Sequence, residues 1–321
     1  MTFIQKTLAA AALALLAASV HAKTAIYNGS EYQLLVKYNE QAQQGDAVFV
    51  RMRYRTGAEE QPAAKTTATL RVKDGEKTLA SADFYFVGEQ SATRAEMLAG
   101  AGISSWQKGG GYTIEITYRP SGKSPMRFTL PLTVCEREFE KETIYLDESN
   151  TAIRTDTSPK RMEQINRLNG IFDTVDAAGV HQTTRFAKPV ESERMTAHCW
   201  DRRVYAYSNS KSATSEHFGN DYGVPTGTEV YACADGKVVL AEDRVSTGWS
   251  IVIEHLPGLY SVYYHMSRLQ AQEGQIVRQG ELIGLSGSTG LATGPHLHWE
   301  MRLRMAAVRP EFFLGDFAFE E

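Results

Sequence analysis

The side chains on which chemistry can be built sit in three segments. His296-Leu297-His298 sets two imidazoles at i and i+2, and on a β-strand such residues project from one face. Alone, the pair fits a metal or catalytic role as readily as structural hydrogen bonding. His217-Phe218-Gly219-Asn220-Asp221 adds an imidazole and a carboxylate four residues apart, with Gly219 allowing a non-helical turn between them. With one of the downstream histidines, this makes a two-His, one-carboxylate set. Three such ligands with a fourth position open is the arrangement of catalytic zinc, whereas structural zinc fills all four positions, usually with cysteine. A divalent cation lowers the pKa of water to roughly 7, and a neutral imidazole nearby can take its proton while another hydrogen-bonds an oxyanion. The other histidine of the pair and His265 remain for those two tasks. The helical His-Glu-x-x-His signature is absent, so a general base must come from such a histidine. The reaction class implied is metal-assisted amide hydrolysis.

Composition narrows the setting. The 321 residues include 34 Lys+Arg against 38 Asp+Glu, a formal net charge of −4, and 42% hydrophobic residues. That suits a globular chain and argues against one whose main business is nucleic acid or an anionic membrane surface. Residues 1–22 read as a secretory signal peptide. Lys6 is its single charge, Leu8 to Val20 is rich in Ala and Leu, and Val20-His21-Ala22 offers a small-residue cleavage site. No Cys follows Ala22, so there is no lipobox, and the mature chain is expected to lack a membrane span and to be periplasmic or secreted. Cys135, Cys199 and Cys233 are too few for a disulfide scaffold, and a Cys199–Cys233 bridge and buried free thiols both remain open.

The elements that must hold these groups are mainly β. Residues 23–138 read as a small immunoglobulin-like β-sandwich of five to seven strands. Val48, Val50, Met52 and Tyr54 alternate with Arg51, Arg53 and Arg55, the mark of a half-exposed antiparallel strand. Asp74-Gly75 signals a hairpin, and Pro120-Ser121-Gly122 a turn between two further strands. Residues 139–195 read as a helical connector. Ser158-Pro159 caps a helix whose Met162, Ile165, Leu168, Phe172 and Val175 form an apolar stripe, expected to pack on a neighbouring domain. Residues 196–321 are β-rich again and hold five of the eight histidines between 217 and 298. There His255 reads as structural, the glycines of Ser286–Pro295 let the backbone turn before His296, and Phe312, Phe313, Phe317 and Phe319 are expected to pack on the C-terminal barrel.

At this point the residues carry a family resemblance. His217-x-x-x-Asp221, Tyr263-Tyr264-His265-Met266 and Gly294-Pro295-His296-Leu297-His298-Trp299-Glu300 resemble the three motifs of the M23 (LytM/lysostaphin-type) zinc metallopeptidases, over about residues 215–314. The resemblance implies a compact β-fold with a groove and one Zn2+ per chain held by His217, Asp221 and His298. His296 would be the general base and His265 the oxyanion stabiliser. It also implies peptidoglycan peptides as substrate, either a D-alanine–diamino acid cross-link or a glycine bridge, and leaves room for a wall-division protein partner. Upstream, Cys199-Trp200-Asp201-Arg202-Arg203 keeps arginines but lacks the Phe-Gly common in the family, which bears on the groove wall. Two other readings compete. A catalytically silent LytM-type wall-binding protein or amidase activator would have lost ligands that are all present here. A biotinyl-type carrier, suggested by Gly274–Gly280, would need a lysine at a turn tip and would leave the histidines unexplained. The N-terminal 170 residues are a candidate shield for the groove.

Overall fold

Alternation at period two governs the first half of the chain. In the strand Ala47–Thr56, Val48, Val50, Met52 and Tyr54 are buried, as the pattern requires. Together with Leu34, Val36 and Met97 they meet Leu70, Val72, Ile114, Ile116, Leu130 and Leu132 of a second sheet in one core. The first sheet runs Lys23–Asn28, Tyr32–Tyr38, Ala47–Thr56, Arg94–Gly102, Tyr85–Phe86, and the second Gln41–Gln43, Met126–Cys135, Gly110–Arg119, Thr67–Asp74, Lys77–Asp83. This computed structural model describes residues 22–28, 32–56, 66–88, 90, 91, 93–119, 124–315 and 317. The expected signal peptide up to His21, the turn expected at Pro120-Ser121-Gly122 and Phe319 lie outside the described residues. Ten strands form the sandwich among the described residues. The surplus over the expected five to seven comes from pieces such as Gln41–Gln43 and Tyr85–Phe86, too short to show periodicity.

The opposite face of Ala47–Thr56 is not wholly open. Phe49 is fully buried there, with ring centroids 6.0, 6.0 and 4.8 Å from Phe312, Phe313 and Phe317. The C-terminal aromatics therefore pack on the N-terminal sandwich as well as on Phe186 of their own half. Beside them Arg309 Nε donates to Asp46 Oδ1 at 2.6 Å, and Trp200 Nε1 to the Gly45 carbonyl at 3.3 Å.

The connector is only partly helical. Lys141–Tyr145 is a strand, parallel to Arg202–Ala206, which pairs in turn with Ser212–Glu216. Five residues, Thr143, Ile144 and Tyr145 among them, favour extended backbone but are too few to reveal a period. Two helices follow, Glu148–Thr155 and Pro159–Asp173, each capped by a side-chain oxygen that accepts a backbone N–H, from Asp147 and Ser158. Of the expected stripe, only Phe172 is buried, against Leu240, Val252, Tyr260 and Val262. Met162 and Val175 are exposed. Leu168 packs on the edge of the same cluster, as the stripe predicts, and Ile165 and Leu168 also line the groove described below. Polar contacts fix the helix as well: Arg161 Nε donates to Ser246 Oγ at 2.9 Å, and Gln164 bonds the backbone of Asp243 and Val245, each at 2.9 Å.

The C-terminal half is built on a sheet ordered Met195–Ala197, Asn220–Tyr222, Leu297–Leu303, Leu259–Met266, Gly248–Leu256, Gly236–Arg244, Ile276–Val277, with Ala306–Val308 beside Leu297–Leu303. Every residue of Leu259–Met266 is buried, as expected for a central strand covered on both faces. The apolar run Ile276–Leu285 does not stay in one strand. It breaks at Gly280 (φ +78°), and Leu282–Leu285 joins Glu229–Tyr231 and Arg268–Leu269 in a separate sheet. Cys135, Cys199 and Cys233 are free thiols. Among the described residues, no helix is long and apolar enough to cross a membrane.

Candidate metal centre

The central strand pairings bring the motifs together. Asn220–Tyr222 and Leu297–Leu303 are antiparallel neighbours in which Asp221 lies opposite His298, and Tyr264 flanks His298 on the other side. His217 precedes this ladder, where the chain passes close under it. A Cβ on Gly219 would meet the Trp299 carbonyl at 2.4 Å and the His298 ring at 2.9 Å. Gly219 is thus demanded by close approach, not by the turn that the sequence suggested.

His217 Nε2, His298 Nδ1 and Asp221 Oδ1 lie 2.9–3.1 Å from one another, all three residues buried. The outer atoms of each group are already engaged. His217 Nδ1 is 3.0 Å from the His198 carbonyl, which can only accept, so Nδ1 carries the hydrogen and Nε2 presents its lone pair. His298 Nε2 faces Glu300 Oε2 at 3.3 Å, which likewise leaves Nδ1 as the inward lone pair. Arg203 Nη2 donates to Asp221 Oδ2 at 3.1 Å and leaves Oδ1 inward. Three inward acceptors at this spacing require a cation or a shared proton between them. Two imidazoles and a carboxylate whose outer atoms are held by a backbone carbonyl, a carboxylate and a guanidinium fit a zinc ion in both donor type and orientation.

The electrostatics agree. Burial would raise the Asp221 carboxyl, yet His217 and His298 hold it well below the usual carboxylate range. Burial pushes His217 down. His298 resists burial because hydrogen bonds to Asp221 and Glu300 lift it to about 9. It is thus the imidazole that keeps a proton while no cation is there.

The other two histidines stand beside this cluster. The His265 and His296 ring centroids are 4.7 Å apart, and His296 Nε2 is 3.8 Å from Asp221 Oδ1. Backbone carbonyls fix both rings, Thr289 holding His265 Nδ1 at 2.8 Å and Gly294 holding His296 Nδ1 at 2.8 Å. Each Nε2 is therefore the free lone pair. Burial and the neighbouring His296 and His298 push His265 down to about 3, so it is neutral at ordinary pH. His265 also has a φ of +61°, a conformation that a β-branched or bulky residue adopts only under constraint. The loop that carries Thr289 comes within reach because Gly290 (φ +71°) lies where a Cβ would meet Gly248 N at 2.4 Å.

All five side chains singled out in the sequence line one groove. His255 does not join them. It is fully buried, bonded to the Asp235 carbonyl and Ser261 Oγ, as a structural histidine should be. The reading of the sequence did not single out Arg203, Glu300 or the groove wall from the connector, which supplies Ile144, Leu146, Arg154, Arg161, Ile165 and Leu168. A signal for Glu300 existed: it continues the same-face series His296, His298, Glu300.

Residues 215–310 match the model of peptidase family M23. Over 117 residues, 36% of the chain, it is 38% identical to the peptidoglycan DD-endopeptidase ShyA of Vibrio cholerae, matching 26% of that protein. Over 94 residues, 29% of the chain, it is 44% identical to the DD-carboxypeptidase/endopeptidase Mpg of Neisseria meningitidis, matching 22% of it. The chain thus spans about a quarter of the length of these curated relatives. A crystal structure from Pseudomonas aeruginosa assigned to peptidase M23 shares the fold, with a TM-score of 0.54 over 86% of this chain and 95% of that one at 24% identity.

Proposed function

We propose that the protein is an exported zinc metalloendopeptidase that hydrolyses peptide cross-links of peptidoglycan, with His217, Asp221 and His298 as metal ligands. The observation that carries this reading is the set of three inward lone pairs 2.9–3.1 Å apart, with every outer atom already occupied. Support for the wall as substrate comes from the relative ShyA, which is named a peptidoglycan DD-endopeptidase.

When bound, zinc supplies a Lewis acid that polarises the scissile carbonyl and acidifies the attacking water. His296 takes the proton at Nε2, because its Nδ1–H is tied to Gly294, and later returns it to the leaving amine. His265 has only a lone pair to offer while neutral. It becomes an oxyanion donor only with a second proton, taken up from solvent at Nε2 as negative charge develops on the carbonyl oxygen. Arg203 and Glu300 keep the ligands oriented. The silent wall-binding or amidase-activator reading would leave this complete set of five groups without a task.

The test is digestion of purified sacculi by the processed protein, with and without a chelator, followed by mass spectrometry of the soluble fragments. Chelator-sensitive release of monomeric stem peptides is expected. Intact cross-links in the presence of zinc would leave a wall-associated adaptor.

A further inference from the structure

Two arginines on the groove wall, Arg154 and Arg161, have no carboxylate at ion-pair distance among the described residues. The groove is lined by Arg154, Arg161, Arg203, Arg244 and Arg302, and by the carboxylates of Glu216, Asp221 and Glu300. Arg203 is paired with Asp221 at 3.1 Å, Arg302 with Glu300, and Arg244 with Glu242 at 3.4 Å. Glu216 is taken by Arg202 from outside the groove. Every groove carboxylate therefore has its guanidinium, and among the described residues Arg154 and Arg161 make no ion pair.

Both are nonetheless held in position. The Arg154 guanidinium stacks over the Tyr205 ring at 4.8 Å, which leaves its N–H edge free. Arg161 is fixed by Nε to Ser246 Oγ at 2.9 Å and by Nη1 to the Asp156 carbonyl at 2.6 Å, with Nη2 left over. The Asp156 carboxylate makes its hydrogen bonds to Ser158 and feels the Arg161 charge without pairing with it. Arg161 also stands in the first turn of Pro159–Asp173, which has no acidic residue to balance it. A cation at that end opposes the helix dipole, and its bonds to Ser246 and the Asp156 carbonyl use Nε and Nη1 only. A local conflict of this kind marks a functional demand.

We propose that Arg154 and Arg161 form a carboxylate-binding subsite that completes the groove from outside the family-matched segment. It selects peptides with free carboxylates beside the cleaved bond over neutral glycine bridges. The guanidinium fork matches a carboxylate in two parallel hydrogen bonds, which an amide or a bare glycine backbone cannot reproduce. This inference rests on the peptidase reading and adds the class of substrate.

The experiment uses the full zinc-loaded chain and three synthetic substrates. These are a cross-linked stem-peptide dimer with free diamino-acid carboxylates, the same dimer amidated at them, and a pentaglycine peptide. The wild-type protein is expected to favour the acid over the amide by about tenfold or more in kcat/KM, chiefly through KM, and to leave pentaglycine almost uncut. In the Arg154→Ala/Arg161→Ala variant that ratio falls to about one, while Arg161→Lys keeps part of it because the charge survives without the fork. A helix merely loosened by the substitutions would slow both dimers alike and preserve the ratio. A wild-type ratio near one, or a double variant that retains the preference, overturns the subsite. Cleavage of none of the three overturns the peptidase reading and this one with it.

Discussion

Asp221 and His298 face each other directly across an antiparallel ladder, with the carboxylate Oδ1 2.9 Å from His298 Nδ1. The distance is set by strand register, since a one-residue slip would turn His298 to the opposite face of the sheet. His217 reaches the same point only because the backbone at Gly219 passes against the Trp299 carbonyl. Gly219→Ala is therefore expected to push His217 and His298 apart and to weaken metal affinity by about tenfold or more. Competition with a chromophoric chelator measures this, and an unchanged affinity would remove the close-approach argument.

Glu300 Oε2 lies 3.3 Å from Nε2 of the proposed ligand His298. Glu300→Gln should cost about 10–100-fold in metal affinity with the fold intact, because the amide no longer fixes the tautomer that turns Nδ1 inward. Isothermal titration of the apo protein with zinc reads the effect.

His296 touches the cluster without being one of its three inward atoms. His296→Ala should keep a full complement of metal and lose turnover by about 10²–10⁴-fold. The paired readout is metal content and steady-state rate on a defined cross-linked peptide. Full activity in this variant would end the general-base assignment.

Away from the site, Glu254 gives the fold a pH dependence of its own. Burial, with Asp176 adding to it against Lys237 and Tyr260, pushes its carboxyl up to about 7 from an ordinary 4.5. The folded state thus binds this proton more tightly than the unfolded chain does. Its contribution is fully present below about pH 4.5 and is lost as the pH rises through about 7. The wild-type Tm should fall between about pH 5 and pH 9, and Glu254→Gln should flatten that fall. Parallel curves for the two proteins, recorded by scanning calorimetry, would contradict it.

Much of this was legible in the chain. Val48 to Tyr54 gave a buried face by alternation alone, and the histidines that line the groove stand at spacings that announce a shared face. What stayed hidden depends on tertiary contact. Phe49 sits on the face that alternation marks as exposed, and is buried because aromatics more than 260 residues later in the chain cover it. Lys141–Tyr145 is a strand only because Arg202–Ala206 lies beside it. The stripe on Pro159–Asp173 reads as packing, yet Ile165 and Leu168 lie over the groove, since which side of a helix meets which partner is not a property of its period.

The count of zinc ions per chain, by mass spectrometry of the natively purified protein beside its His217→Ala and Asp221→Ala variants, bears most directly on the whole account. The account predicts one zinc per wild-type chain, and loss of both metal and sacculus digestion in each variant. A wild-type protein that takes up no zinc, or variants that keep it with undiminished affinity, would contradict the account.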